Sequence, residues 1–272
     1  MLNKIWHRAN GMLWQDRQAL RSAEQKLRRA QALLEIRQRD TIEIEELLRV
    51  TALPGLSRRP GREKHLSRLL GTNVCEALYI VANLETAIHA VEGDICEFGV
   101  AQGTTSTLMC FEIMETNRRI YLFDSFEGLP APTAEDRLID DIFKLGSMEA
   151  YTGKMSVQEG EVRARLAELG FPEGRIEIRK GWVKETIARP DAPANVAFAY
   201  VDLDLYEPIR DALAFLDQRT QPGARIVVDD YGFFSEGAQL ATDQFVTQAE
   251  GRWTLELPLS FAGKFAVLTK AA

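Results

Sequence analysis

Histidine is scarce in this chain of 272 residues, and none of its three histidines lies after position 89. They are His7, His65 and His89. A Ser-His-Asp or Cys-His site built in the C-terminal two-thirds of the chain therefore has no base available. That absence excludes nucleophilic catalysis of the usual hydrolase kind from most of the sequence.

Cysteine and long apolar runs are also in short supply. Three cysteines (Cys75, Cys96 and Cys110) lack metal-binding spacing, and so small and odd a number is typical of a reducing cytosol. No apolar run approaches the ~18–20 residues that a spanning helix needs. The first 30 residues lack the apolar region of a signal peptide. We therefore expect a cytoplasmic protein without a membrane span.

Basic residues are sparse outside the N-terminal segment. The net charge is -7, yet residues 1–68 hold 15 Lys+Arg against 8 Asp+Glu, while the remainder holds 18 against 32. A basic arm on an acidic body indicates either an anionic binding surface or a solvated helix face. No aromatic interleaving or DNA-binding motif accompanies the basic residues, so no nucleic-acid partner is expected.

Residues Leu13 to Val50 contain neither Gly nor Pro and are rich in good helix formers, which predicts a long helix. A seven-residue spacing of leucine with interleaved alanine runs through it: Leu13, Leu20, Ala23, Leu27, Ala30 and Leu34. Such a seam favours a coiled coil, and hence a homo-oligomer, or a long surface helix that covers its own domain. A Pro-, Gly- and Arg-rich linker or mobile loop follows at 53–62. We predict a helical arm with linker over 1–65 and a second domain over 66–272.

The rhythm changes at residue 94, where apolar strand-like runs begin to alternate with helical stretches. The predicted strands are Asp94–Val100, Arg119–Asp124, Arg175–Arg179, Ala197–Asp202, Arg225–Asp229, Trp253–Leu257 and Phe265–Thr269. The predicted helices are Leu70–Ala90, 104–116, 157–169 and 207–219. Continuous buried runs separated by helices predict a doubly wound α/β domain with a mainly parallel sheet and an N-terminal helical extension. The last two strands have no helix between them and predict an antiparallel hairpin at one edge.

Ligands bind such sheets at the carboxyl ends of the strands. After the first strand, Gly99 and Gly103 allow a tight turn, and Thr104 and Thr105 open a helix whose amides would face a ligand. This is not the G-x-G-x-x-G of dinucleotide sites. Asp124 ends the second strand at the distance at which an acidic residue binds ribose hydroxyls. The alternatives are an ordinary strand–helix turn and an Asp that caps a turn.

Two pairs of acidic residues follow later strands. Asp202 and Asp204 end the fourth, and Asp229 and Asp230 end the fifth. If these strands are neighbours, four carboxylates converge, and their repulsion calls for a cation or for protons. Oxygen ligands without His or Cys select Mg²⁺ or Mn²⁺. The alternatives are exposed loop residues and the DxD motif of a metal-dependent glycosyltransferase.

Five segments occur in the order EFGVAQGTTS, YLFDSFEGLP, GWVKETI, YVDLDLYEPIRDAL and PGARIVVDDYG. Together they resemble the macrocin O-methyltransferase (TylF/MycF/NovP) family. The resemblance implies the seven-stranded fold of class I S-adenosylmethionine enzymes and methyl transfer to sugar hydroxyls, in many members with Mg²⁺. It covers about residue 70 to the end and places the arm at 1–65 outside it.

The resemblance, with the motifs above, implies a cofactor site for S-adenosylmethionine. Ten residues are expected there: Glu97, Gly99, Gly103, Thr104, Thr105, Asp124, Ser125, Gly181, Trp182 and Asp202. The first three of these would line the methionine end of the cofactor. Asp124 would hold the ribose with Ser125 beside it, and Gly181-Trp182 would border the adenine.

The resemblance also implies the reacting groups. Asp202, Asp229 and Asp230 would ligate the metal, Asp204 would be the general base, and the segment Asp136–Met155 would be a substrate lid. The expected acceptor is a small molecule or glycan, whose sugar hydroxyl belongs to a glycoside, natural product or surface glycan.

One residue departs from the family pattern. Leu203 stands between the two carboxylates, where antibiotic-tailoring members have glycine. Its larger side chain reshapes the acceptor floor and makes a surface polysaccharide or lipopolysaccharide sugar at least as good a candidate as a macrolide. Two other classes stay open at this point: a DxD glycosyltransferase and a non-enzymatic helical scaffold.

Overall fold

The structure, a computed structural model, describes the backbone of residues 2–272 and the side chains of residues 23–272. Its strands are β1 Asp94–Phe98, β2 Ile120–Asp124, β3 Ile176–Lys180, β4 Val196–Val201, β5 Thr220–Val228, β6 Trp253–Glu256 and β7 Ala266–Lys270. Its α-helices are α1 Leu2–Thr51, α2 Arg62–Leu66, α3 Val74–Ala90, α4 Thr104–Glu112, α5 Glu159–Leu169, α6 Val183–Thr186, α7 Tyr206–Arg219 and α8 Glu236–Gln248. Two 3₁₀ turns lie at Glu149–Tyr151 and Glu173–Arg175.

The strands form one sheet in the order β3-β2-β1-β4-β5-β7-β6. Strands β1 to β5 are parallel, β7 runs antiparallel to β5, and β6 pairs antiparallel with β7. The predicted doubly wound sheet and its edge hairpin are confirmed. The strand order reverses between β1 and β4, which is where this class of fold binds its ligands.

Helices cover both faces of the sheet, so the central strands are buried on both sides. Every residue of β4 is buried, and Phe98 of β1 stacks on Phe123 of β2 with ring centroids 4.5 Å apart. One face packs against α3, α4 and α5, and the other packs against α7 and α8. This two-sided burial explains why the strands read as continuous apolar runs.

Helix α1 is longer than predicted, and among its residues whose side chains the structure describes, those near the C-terminal end pack on the body. Leu48 is fully buried in a cluster with Leu56, Leu66 and Leu78, whereas residues 23–33 are exposed. The side chains of Leu13 and Leu20, two members of the predicted seam, lie outside the described residues. In the segment at 53–62, Leu56 is 3% exposed and packs in this cluster, and the linker role of the segment stays a prediction.

Helix α8 was not predicted. Its sequence, EGAQLATDQFVTQ, has Gly at the second position and contains two Thr. Neither helix propensity nor apolar spacing therefore predicts a helix here. Tertiary packing decides instead, because Ala238, Ala241 and Thr242 are buried beside α7. No helix in the part of the chain that the structure describes is both long and apolar enough to cross a bilayer.

Candidate active site

The carboxyl ends of β1, β2, β4 and β5 meet at one edge of the sheet, on both sides of the strand-order reversal. Soon after each of these strands a residue other than glycine adopts a positive φ: Ala101, Phe126, Asp204 and Asp230, with φ of 42°, 57°, 61° and 56°. Such backbone is unfavourable and persists where the surroundings impose it, often at functional sites. The four turns therefore lie at one edge of the sheet.

Gly99 brings the end of β1 against the end of β4. Its φ is +83°, and a Cβ there would lie 1.7 Å from the backbone oxygen of Asp202. No other residue fits so close an approach. The glycine that the sequence marked as a tight turn therefore sets the distance between the two halves of the site.

Asp124 ties the β1 turn to the end of β2. Its Oδ2 accepts from the backbone N–H groups of Val100 at 2.7 Å and Ala101 at 3.1 Å, and its Oδ1 accepts from Phe126 N–H at 2.6 Å. The carboxylate is thus fixed by three amides at the edge of the cleft. Its proposed contact with ribose stays a prediction.

An open cleft of about 640 Å³, counting space open to solvent, lies at this edge. Six of the ten predicted cofactor residues line it: Gly99, Asp124, Ser125, Gly181, Trp182 and Asp202. Sequence reasoning gave no role to other lining residues, among them Leu129, Pro130, Val183 and Pro208. They lie within the segments that carry the family resemblance, but an apolar side chain has no chemistry that marks it as a ligand contact.

The remaining four predicted cofactor residues, Glu97, Gly103, Thr104 and Thr105, do not line the cleft. Thr104 Oγ1 lies 3.4 Å from the Leu70 carbonyl, Thr105 Oγ1 lies 3.3 Å from Thr72 Oγ1, and Gly103 lies against Val162 of α5. Their local packing accounts for them in this structure, and cofactor contact stays a prediction for each.

Glu97 is a buried carboxyl below the β1 turn. The Ser106 hydroxyl donates to its Oε2, while Oε1 is buried without a partner in the described chain. Burial raises the pKa of Glu97 to about 8. A buried carboxyl with an open acceptor is costly and suits a site that a cationic group completes.

The four carboxylates after β4 and β5 do converge. Asp202, Asp204 and Asp230 each place an oxygen within 4.8 Å of the others, in a geometry that could hold a metal ion. Burial raises the pKa of Asp204 to about 6. Burial and the neighbouring carboxylates raise the pKa values of Asp202 and Asp230 well above the ordinary value.

Asp229 is not one of that trio, although its charge helps to raise the pKa values of Asp202 and Asp230. Its Oδ1 accepts from Asp230 N–H at 2.8 Å, and its Oδ2 accepts from the Tyr200 hydroxyl at 2.9 Å. The structure thus groups the predicted base Asp204 with two of the predicted ligands, and joins the third predicted ligand to a phenol. The division of roles among the four stays a prediction.

Tyr200 and Glu76 extend the cluster downwards. The Tyr200 hydroxyl also lies 3.2 Å from Glu76 Oε1 and 3.4 Å from Asp202 Oδ2, so one phenol is shared among three carboxyls. Glu76 is 5% exposed, and burial raises its pKa well above the ordinary value. Sequence reasoning missed it, although its four-residue spacing to the buried Ile80 and Leu84 puts an acidic residue on the apolar stripe of α3.

The predicted lid, 136–155, is anchored at both ends. Asp136 is 4% exposed and accepts a hydrogen bond from Tyr206 N–H, and Tyr151 packs on Phe234 with ring centroids 4.9 Å apart. Between these anchors, Ile142 and Phe143 are 40% and 55% exposed. The segment borders the cleft through Met155.

A known protein family matches most of the chain. Residues 1–256 match the family described as macrocin-O-methyltransferase (TylF). The match includes the N-terminal arm, so the expectation that residues 1–65 lie outside the resemblance is wrong. The arm carries no catalytic motif, which is why it could not be recognised from motifs alone.

Two curated relatives are O-methyltransferases of natural products. The 8-demethyl-8-(2,3-dimethoxy-alpha-L-rhamnosyl)-tetracenomycin-C 4'-O-methyltransferase of Streptomyces olivaceus is 32% identical over 182 residues, 65% of this chain and 66% of that protein. The demethyldecarbamoylnovobiocin O-methyltransferase of Streptomyces niveus is 30% identical over 145 residues, 52% of this chain and 53% of that protein. The matched region thus spans between about half and two-thirds of these relatives.

Solved structures show the same fold. The O-methyltransferase NovP aligns with a TM-score of 0.63 at 22% identity, covering 74% of this chain and 81% of NovP. The calicheamicin methyltransferase CalS11 aligns with a TM-score of 0.57 at 25% identity, covering 85% of this chain and 91% of that one.

Proposed function

Because the chain belongs to the macrocin O-methyltransferase (TylF) family, we propose that it moves a methyl group from S-adenosylmethionine to a sugar hydroxyl. The acceptor class is a glycoside, natural product or surface glycan. The observation that carries the proposal is the juxtaposition of two sites at one sheet edge. A cleft lined by Gly99, Asp124 and Trp182 adjoins a carboxylate cluster, and Asp202 belongs to both.

The cleft fits S-adenosylmethionine, which would supply the methyl group as an electrophile. Gly99 leaves room for close approach, Asp124 stands at the edge where a ribose would be held, and Gly181 and Trp182 offer a wall for the adenine. The partnerless Oε1 of Glu97 suits the ammonium group of the methionine end. Only the ionised form of this carboxyl would pair with it, so cofactor binding would draw a proton from Glu97.

The carboxylate cluster fits a hard divalent cation, because its donors are all oxygen and lie within 4.8 Å of one another. A bound Mg²⁺ would lower the pKa of an acceptor hydroxyl and orient its oxygen. Asp202 and Asp230, with Asp229, would hold the ion. Asp204, which has a pKa of about 6, would accept the proton that the hydroxyl loses.

The relatives support a sugar acceptor, since the Streptomyces olivaceus protein is named for a 4'-hydroxyl of a rhamnosyl compound. In this chain Leu203 lies in the wall of the cleft beside Asp202. We expect it to fill space that the glycine of antibiotic-tailoring members leaves open. An accessible terminal sugar of a surface glycan is therefore included among the candidate acceptors.

A thermal-shift screen followed by a transfer assay tests the function. S-adenosylhomocysteine should raise the unfolding temperature, and nucleotide diphosphates should not. Labelled methyl transfer to sugar-nucleotide and glycan acceptors should then depend on Mg²⁺ and stop with chelator. Stabilisation by a nucleotide diphosphate but not by S-adenosylhomocysteine would instead indicate the glycosyltransferase class.

Self-association through α1 is part of the proposal. Residues 23–33 are exposed along the helix, and Leu27 and Leu33 are 59% and 55% exposed. A second copy would cover them. A reducing cytoplasmic location also fits, because Cys75, Cys96 and Cys110 are free thiols.

A further inference from the structure

Helix α7 begins beside the carboxylate cluster without a cap of its own. Its N-cap residue is Leu205, which makes no side-chain hydrogen bond to the helix. The first amides of a helix have no partner within the helix, and a cap usually comes from a neighbouring Ser, Thr, Asp or Asn. Here the partner comes from 70 residues earlier in the chain, because Asp136 Oδ1 accepts from Tyr206 N–H at 2.7 Å.

Both oxygens of Asp136 are engaged, and all the donors are N–H or O–H groups. Oδ2 accepts from Thr133 N–H at 2.8 Å and from the Thr133 hydroxyl at 2.9 Å. The carboxylate is 4% exposed, so water does not replace these partners. Gly237 permits this packing, since a Cβ there would lie 2.0 Å from Asp136 Oδ1.

A second set of contacts holds the same loop from the other side. The Ser235 hydroxyl donates to the backbone oxygen of Asp204 at 2.7 Å. The residues around Ser235 pair with the lid segment: Glu236 N–H donates to the Arg137 carbonyl at 2.9 Å, and Ile139 N–H donates to the Phe234 carbonyl at 3.0 Å.

A small apolar cluster joins the two parts. Leu205 is 1% exposed and packs in one cluster with Tyr151, Met148 and Phe234, of which the first two belong to the lid segment. The residue next to Asp204 is therefore part of the core of the lid. Asp204 has a φ of +61°, an unfavourable conformation that such surroundings must maintain.

We propose that Asp136 is a positioning residue: by capping α7 it locks the base of the lid segment to the loop 203–206 that carries Asp204, so that lid and carboxylate cluster form one unit. The inference rests on the proposed function for the role of Asp204, but the mechanical link does not. Asp136→Asn is the most informative change. Its amide oxygen can accept either from Tyr206 or from Thr133, and its NH₂ group then points a donor at the other residue's donor.

Two measurements on the full chain test the link. Hydrogen–deuterium exchange should show the amides of residues 203–206 and 137–139 exchanging about 10-fold faster in Asp136→Asn, in proportion to a lost cap. Mn²⁺ alone, followed by electron paramagnetic resonance, should bind several-fold more weakly as the trio of Asp202, Asp204 and Asp230 loosens. Glu135→Gln, an exposed neighbour with the same charge change, should leave both measurements unchanged.

Thr133→Val is the milder variant if Asp136→Asn does not fold, since it removes one of three donors and should give a smaller change in the same direction. Unchanged exchange at 203–206 in these variants would overturn the link. Faster exchange with unchanged Mn²⁺ affinity would overturn the positioning role. If the wild-type chain binds no Mn²⁺, the metal in the proposed function fails, and exchange still decides the link.

Discussion

Two clusters of buried and half-buried carboxyls in this protein are built in opposite ways. In the first, Arg62 is fully buried and pairs with Glu45 at 2.6 Å, Glu85 at 2.8 Å and Glu112 at 2.7 Å. In the second, the carboxylates around Asp202 and Asp230 have a phenol and backbone amides as partners. Among the described residues, no Lys or Arg forms an ion pair with them.

The difference separates a structural charge cluster from a candidate site. Arg62 joins α2 to α1, α3 and α4, and its charge offsets the cost of burying the acids around it. The second cluster has no such cation, and burial together with the neighbouring carboxylates raises the pKa values of Asp202 and Asp230. Strongly shifted pKa values without a compensating cation are typical of functional sites, so removal of a charge should affect stability in opposite directions in the two clusters.

The largest effect is expected for Asp204→Asn. Turnover should fall about 100- to 10,000-fold, because the variant cannot accept the proton of the acceptor hydroxyl. S-adenosylhomocysteine affinity by calorimetry should hold, and the metal-free chain should melt higher because one repelling charge is gone. Asp40→Asn, an exposed residue of α1, serves as the control. Lost cofactor affinity with turnover preserved per bound complex would refute the base assignment.

Arg62→Met should act in the opposite direction on stability. It leaves Glu45, Glu85 and Glu112 without the buried guanidinium that they share, and the free energy of unfolding should drop by about 3–5 kcal/mol. Urea denaturation measures this, and Arg58→Met is the matched control, because that exposed arginine pairs with Glu46 on the surface and should change stability little. Equal losses in the two variants would remove the distinction between the clusters.

Glu97 makes stability depend on pH. Its pKa rises from an ordinary 4.5 to about 8, so between these values the folded chain keeps a proton that the unfolded chain has lost. Stability of the ligand-free protein should therefore fall as pH rises from about 4.5 to about 8, and Glu97→Gln should flatten that slope. Urea titrations across this range compare the two chains. Identical slopes would contradict this prediction, because they would mean that Glu97 has the same pKa in the folded and the unfolded chain.

Tyr200→Phe probes the phenol that three carboxyls share. We expect Mn²⁺ affinity to fall about 10-fold, as is usual when a partner that orients a ligand is removed, because Asp229 Oδ2 loses its donor. Tyr121→Phe is the control, because Tyr121 is also a buried tyrosine but lies on β2. An unchanged Mn²⁺ affinity would show that Asp229 is oriented without the phenol.

The sequence predicted those parts of the molecule that depend on residues close to one another in the chain. Continuous apolar runs marked the strands, and acidic residues directly after β4 and β5 marked the cluster, because parallel strands deliver their ends to one edge. Glu76 and the capping role of Asp136 escaped notice, since each side chain contacts a residue more than 65 positions away in the chain. Thr104 and Thr105 show the converse, because their hydroxyls contact Leu70 and Thr72 at this helix start while their cofactor contact stays a prediction.

Truncation of the arm should have the smallest effect on the fold and sharpens the contrast between α1 and the body. None of residues 23–37 is buried, whereas Thr41 and Leu48 are, so deletion of residues 2–36 removes no residue that the structure describes as buried. The unfolding temperature should change by no more than about 2 °C at this size. Light scattering should show a smaller assembly, because the exposed seam with Leu27 is gone.

The double variant Leu27→Gln/Leu33→Gln should shift the mass in the same direction without shortening the chain. An unchanged mass in both variants would contradict self-association through α1. The helix would then be a solvated one, and its basic charge would serve the acceptor or another surface.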